Sequence, residues 1–289
     1  MSDNQFKHLL VQGRGLKQIK KDIQYFPFNW EEEFPIIERL GFDGIEWIYD
    51  KYSEHENPIL NSDGRKQMME LSEIHSVKLE NIVFDWFLKH PLFAEDDGVS
   101  LESKIKHMRK LIKYSSITGF KNIIFPILEE NNIDSTKKFK KCIDIFKENI
   151  LDDLNEFNIQ IHFETSLTSE KERKFLKELN HDKLKICSDI GNSASYGYEP
   201  RSTINEISEF LGSVHVKDRL LDGPSVSLNN GIVNFKKVFK TFDEINFSGP
   251  LSYQIYRNML TDNIYLLKQS LTFINNIIYD VTNDRNQKN

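Results

Sequence analysis

Eight short β-type runs, HLLVQ, DGIEWI, KLENIVF, KNIIFPI, IQIHFE, LKICSDI, SVHVKD and LSYQIY, alternate with longer helical patterns almost from end to end. Such alternation is the sequence form of repeated βα units around a parallel sheet, and eight is the number that closes a barrel. The expected fold is therefore α/β, a (β/α)8 TIM barrel in a single domain. At 289 residues the chain has room for one such barrel, which takes about 250. No linker divides it, so the barrel is expected over residues 1–280, followed by a polar tail at 281–289 that frays.

The helical segments carry their own punctuation. Asn29 is placed to cap a helix whose first turn holds Glu31, Glu32 and Glu33, and Gly41 follows its last residue, Leu40. Between Ser135 and Phe157, the residues Phe139, Cys142, Ile143, Phe146, Ile150 and Leu154 recur at helical spacing, predicting one long helix with one apolar face.

Composition narrows the function. A formal net charge of -6 argues against a surface built for phosphate backbones, so no nucleic-acid partner is expected. No apolar run approaches the roughly 18 residues of a membrane span, and the start MSDNQFKH lacks a signal-peptide layout. The expectation is a cytoplasmic protein without membrane contact. Cys142 and Cys187 sit in apolar contexts without metal or redox spacing and read as buried thiols. GRG near Gly13 is too short for a nucleotide fingerprint, LNNG before Ile232 lacks the following Lys-Ser/Thr, and no Gly-x-Ser-x-Gly elbow occurs.

Four of the later runs each carry a metal-competent polar residue: Glu164, Asp189, His215 and Gln254. A charged or amide side chain in an apolar run is costly unless paired, and one divalent cation would pair all four. Their separations are 25, 26 and 39 positions, about one βα unit per step, which sets them at consecutive strand ends around one rim. Two carboxylates, an imidazole and an amide oxygen suit Mn²⁺, Mg²⁺, Co²⁺ or Zn²⁺. Taken singly, each has a plainer reading: a helix cap for Glu164, a turn for Asp189, a hydrogen-bonded core residue for His215 or Gln254. The joint spacing favours a shared site.

With these motifs in view the chain resembles the xylose-isomerase-like TIM-barrel superfamily of sugar-phosphate isomerases and epimerases. The carrying segments are GFDGIEW (Gly41 to Trp47), HFET (Glu164), SDIGN (Asp189 to Asn192), HVKDR (His215 to Arg219) and YQIYR (Gln254). The resemblance implies a divalent metal held by Glu164, Asp189, His215 and the strand-eight residue, chelating neighbouring oxygens of a sugar and stabilising an enediolate. In epimerase relatives the strand-five and strand-eight residues are both glutamates, acting as two bases. Gln254 departs from that pattern, because an amide has no basic site near neutral pH. One-base aldose-ketose isomerisation through Glu164 is thus favoured over two-base epimerisation. Glu164 and Asp189 also supply two negative charges, matching a divalent cation.

Glu164 and Lys217 are the catalytic candidates. Lys217 shares the strand side of His215, where its ammonium can meet a substrate oxygen, phosphate or carboxylate. Arg14, Glu46, His162, Asn192, Lys217, Asp218 and Arg219 are candidate substrate contacts. For Glu46 and His162 a barrel-interior hydrogen bond serves equally, for Arg14 a plain turn, and for Asp218 with Arg219 a solvated ion pair. Trp47, Trp86 and Phe87 fit either core or an apolar wall. The expected partner is a small carbohydrate, and a homodimer is compatible with the architecture. Alternatives from other classes are a metal-dependent lyase or dehydratase on the same barrel, and a non-catalytic sugar-binding barrel. A nuclease would need further metal ligands and a basic groove that the sequence does not display.

Overall fold

A computed structural model of the chain describes residues 6–17, 24–92, 97–257 and 263–287. The strands are β1 (His8–Val11), β2 (Gly44–Ile48), β3 (Lys78–Val83), β4 (Asn122–Ile127), β5 (Gln160–Thr165), β6 (Leu184–Asp189), β7 (Leu211–Val216), β8 (Asp218–Arg219), β9 (Ser225–Val226) and β10 (Leu251–Tyr253). Eight of them form a closed barrel in the order β1-β10-β7-β6-β5-β4-β3-β2, with every neighbouring pair parallel. The two-residue strands β8 and β9 form a separate antiparallel ribbon above β7. Each expected strand is present, and the chain is a single-domain TIM barrel.

Alternation along each strand sorts side chains between the barrel interior and the helical shell. On β5, Phe163 packs outward against Phe146 and Phe175, with ring centroids 5.0 Å away in each case. Those rings come from the helices Thr136–Asn149 and Ser169–Leu179. Glu164, its neighbour, consequently faces inward at the carboxyl rim. Trp47 is shared between Phe26, Trp30 and Phe34, and Trp86 and Phe87 are likewise buried, so all three belong to the core. Cys142 and Cys187 are buried free thiols.

Four local expectations meet different outcomes. Gly41 ends the helix Glu33–Leu40 in the left-handed region at φ 82°, where a side chain would be strained. Asn29 makes no cap bond; it precedes a 3-10 turn, Trp30–Glu32, and its amide donates to Glu32 Oε2 at 2.8 Å. The expected helix 135–157 divides at Ile150, whose φ of -120° lies outside the helical range, giving Thr136–Asn149 and Leu151–Glu156. Ile150 is fully buried, and Asn149 Nδ2 turns back to the Ile145 carbonyl at 3.1 Å. The last helix, Asn263–Asn286, continues through most of the segment expected as a tail. Among the described residues, no helix is long and apolar enough to cross a membrane.

Glu172 anchors the helix after β5 by accepting a bond from Thr165 Oγ1 at 2.7 Å. Burial pushes its carboxyl up to about 7, against the smaller opposing effect of that bond. From pH 4.5 to 7 the folded protein therefore holds a proton that the unfolded chain has released, so this group lowers stability as pH rises through that window. Glu172→Gln is expected to stabilise the protein by about 1–3 kcal/mol at pH 8. In urea denaturation the gain should vanish near pH 4.5.

Candidate active site

The site begins with a charge buried inside the barrel. Glu46, on β2, is fully buried. Its Oε2 accepts bonds from Ser252 Oγ at 2.6 Å and Asn81 Nδ2 at 3.0 Å. Its Oε1 lies 2.9 Å from Nε2 of His215 on β7. Burial alone would raise the Glu46 pKa, but His215, Ser252 and Asn81 together hold it below the ordinary glutamate value. Glu46 thus sits beneath the rim as the orienting partner of His215.

The other ring nitrogen of His215, Nδ1, points toward the rim, 3.5 Å from Glu164 Oε1. Neither ring nitrogen has an aligned hydrogen-bond partner, although the side chain is entirely buried. Burial by itself would keep the imidazole neutral; Cys187, Glu46 and Glu164 reverse this and hold its pKa well above the usual histidine value. Asp189 completes the group from the end of β6. One ligand atom each from Glu164, Asp189 and His215 lie within 4.8 Å of one another, a grouping able to hold a metal ion. The donor set, two carboxylates and an imidazole whose buried nitrogen lacks an aligned partner, fits a divalent cation of the Mn²⁺, Mg²⁺, Co²⁺ or Zn²⁺ kind.

Asp189 is fixed by its other contacts. Its Oδ1 accepts from the backbone N–H of Asn192 at 2.8 Å, capping the short helix Ile190–Ser195. Its Oδ2 accepts from Lys217 Nζ at 3.2 Å. Gly191 is required here because a Cβ would stand 2.9 Å from the Lys217 carbonyl oxygen. The Lys217 ammonium also donates to Gln254 Oε1 at 2.8 Å, so the lysine bridges two of the four residues expected to share a cation.

Above this cluster opens a cavity of about 300 Å³. Glu164, Asn192, Lys217, Arg219 and Gln254 line it, with Leu88, Leu128 and Tyr196 as apolar wall. Its volume is at the lower end of small-molecule sites, which suits a ligand of sugar size. Arg219 donates through Nη1 to Asn192 Oδ1 at 2.8 Å and through Nε and Nη2 to the Gly223 carbonyl at 3.0 and 2.7 Å. Asp218 does not pair with that guanidinium. Its carboxylate accepts from the backbone N–H groups of Arg219, Gly231 and Val233, folding the loop beyond β7.

Several expected contacts fall outside this cavity's lining. His162 is buried a layer deeper than Glu164, bonded to Ser213 Oγ at 2.9 Å and Gln160 Oε1 at 3.0 Å. Burial holds its pKa down to about 3, so the ring is neutral. Glu46 and His215 are enclosed below the rim. Arg14 is buried in the loop after β1, where burial and then Arg257 bring its pKa to about 9. That loop is held by Glu33, which accepts from the Gly13 N–H at 2.7 Å and the Gly15 N–H at 3.3 Å.

Among the lining residues that escape the sequence reading are Gln24 and Asp85, which are bonded to each other. Gln24 lies in an irregular loop with no periodic signal. Asp85 had one: an acid directly after the apolar run KLENIVF, at the carboxyl end of a strand.

Comparison with known proteins agrees with this architecture. The sequence profile described as xylose isomerase-like TIM barrel matches residues 34–277. Similar proteins include L-ribulose-5-phosphate 3-epimerase UlaE of Escherichia coli strain ATCC 8739, 21% identical over 244 residues, covering 81% of this chain and 84% of the relative. Among solved structures, the E. coli 3-keto-D-glucoside 4-epimerase YcjR superposes with a TM-score of 0.71 at 15% identity, covering 94% of this chain and 99% of that one. D-psicose 3-epimerase from Clostridium cellulolyticum H10 gives 0.73 at 12% identity with the same coverage. With the profile spanning most of its length, the chain belongs to the xylose isomerase-like TIM-barrel family.

Proposed function

We propose that this protein is a divalent-cation-dependent isomerase or epimerase of a small sugar or sugar phosphate. The observation that carries the reading is the Glu164, Asp189 and His215 cluster, which meets a sugar-sized cavity through Glu164, with a buried histidine nitrogen lacking any aligned partner. The sugar epimerases among its relatives support the substrate class.

In this reading Glu164 takes a proton from the carbon beside the substrate carbonyl, and the carbon's electron pair passes into an enediolate. Glu164, Asp189, His215 and the amide oxygen of Gln254 would hold a divalent cation, which when bound would supply positive charge to offset the developing negative charge. Glu46 keeps His215 oriented, as carboxylates commonly do behind a metal-bound imidazole. Lys217 offers a proton-donating cation to the substrate oxygens, and Asn192 and Arg219 bind hydroxyl or phosphate groups at the mouth.

The cation prediction is direct. Mn²⁺ at about 100 times its dissociation constant should stabilise the protein by roughly 2.7 kcal/mol, read as a rise in melting temperature. Glu164→Ala and His215→Ala should each abolish that rise. Because the Lys217 ammonium competes for Asp189 Oδ2 and Gln254 Oε1, Lys217→Met should tighten Mn²⁺ binding on the order of tenfold, after screening and relaxation have reduced the repulsion of about 8 kcal/mol that a single and a double charge would feel at roughly 4 Å with an effective dielectric of about 20. Calorimetric titration measures it.

For the reaction, incubation with L-ribulose 5-phosphate, D-allulose or D-fructose in D₂O should place deuterium on the carbon next to the carbonyl. Glu164→Gln should slow that exchange by about 10²–10⁴. Absence of exchange with ketoses and ketose phosphates, with Mn²⁺ bound, would overturn the proposal.

A further inference from the structure

Gln254 cannot accept a proton, yet the cavity lining holds two carboxylates besides Glu164, the solvent-exposed Glu129 and the half-buried Asp85. Asp85 follows β3 at the start of the short helix Trp86–Lys89 but makes no cap bond; its half-buried side chain turns into the cavity instead. Its hydrogen bond comes from Gln24 Nε2 at 2.6 Å. Gln24 Oε1 in turn accepts from Gln254 Nε2 at 2.8 Å, and Gln254 Oε1 accepts from Lys217 Nζ at 2.8 Å. One run of donors thus crosses the β10, β1 and β3 side of the rim, from Lys217 to Asp85, while Glu164 stands on β5.

We infer that Asp85 is the second proton carrier of this site, serving the face of the substrate carbon that Glu164 does not reach, so that the reaction is epimerisation. The inference rests on the functional reading above and deepens it. Burial, then the nearby carboxylates of Glu164, Asp50 and Glu46, push the Asp85 carboxyl up to about 7 against the opposing Gln24 bond. Arg14, also close by, favours the ionised form. Both protonation states are therefore accessible near neutral pH.

The step balances within the protein. Glu164 removes the carbon-bound proton, leaving the bonding pair in the enediolate. Neutral Asp85 delivers its O–H proton to the same carbon from the other face, keeping the electron pair as a carboxylate. Glu164 is left protonated and Asp85 ionised, the state that runs the reverse reaction, and exchange of one proton at each with water restores the start.

The test uses the full chain with Mn²⁺ in D₂O and the ketoses named above. Asp85→Asn retains an acceptor for Gln24 but has no acidic proton to transfer. It should slow formation of the inverted sugar at least about 100-fold while deuterium wash-in to unreacted substrate stays within about tenfold of wild type. Asp85→Glu should restore part of the inversion. Inversion at the wild-type rate in Asp85→Asn overturns the inference and leaves the broader function standing, as does wild-type protein that only interconverts ketose and aldose. Wild-type protein that exchanges no ketose proton overturns both. Loss of wash-in and inversion together in Asp85→Asn, with the Mn²⁺-dependent rise in melting temperature intact, also counts against separate carriers. Where that rise is lost, Asp85→Glu decides: recovered inversion supports the inference, and continued failure overturns it.

Discussion

The contact between Glu46 and His215 is the constraint around which the site is arranged. An ionised carboxylate with no solvent exposure is costly, and the cost is offset only where several donors converge on it. Here Asn81 on β3 and Ser252 on β10 donate to it, and the His215 ring on β7 stands 2.9 Å away as its charge partner. The same interaction that makes Glu46 tolerable also closes the barrel on that side, since β10 must bring Ser252 into register with His215. It leaves His215 only one outward direction for its second nitrogen, toward Glu164. A position that reads as a candidate substrate contact is thereby an internal support, and the geometry of the rim depends on it.

Strand periodicity made the barrel legible because it reports which side of the sheet a residue faces, and in a closed parallel barrel that suffices to bring Glu164, Asp189, His215 and Gln254 to the same end of the barrel. It does not report depth. His162 shares the side of Glu164 but sits two residues earlier, one layer down, where Ser213 and Gln160 satisfy it. Asp218 looked like a rim charge because its neighbours are polar; its carboxylate is consumed by backbone N–H groups of a loop whose folding no pattern announces. Gln24 shows the reverse failure. Its importance comes from two long-range bonds, to residues 61 and 230 positions away, and nothing local marks it. The Ile150 break is similar: apolar spacing continues across it, so the sequence reads as one helix where backbone geometry makes two.

The amide at Gln254 and the acid at Asp85 are consistent only as a pair. Lys217 can only donate and an ionised Asp85 can only accept, so the two glutamines between them must each present an oxygen toward the lysine side and an N–H toward the acid. That polarity aims the Gln254 carbonyl oxygen at the Lys217 ammonium, which also donates to Asp189. A glutamate at position 254 would accept rather than donate toward Gln24. Gln24 would then have to reverse its amide to supply a donor, presenting its own oxygen to Asp85 and leaving that carboxylate without its bond unless it took up a proton. An amide at position 254 therefore offers no base of its own and, through a single intervening glutamine, supplies the donor that lets Asp85 stay ionised on the neighbouring wall of the same cavity.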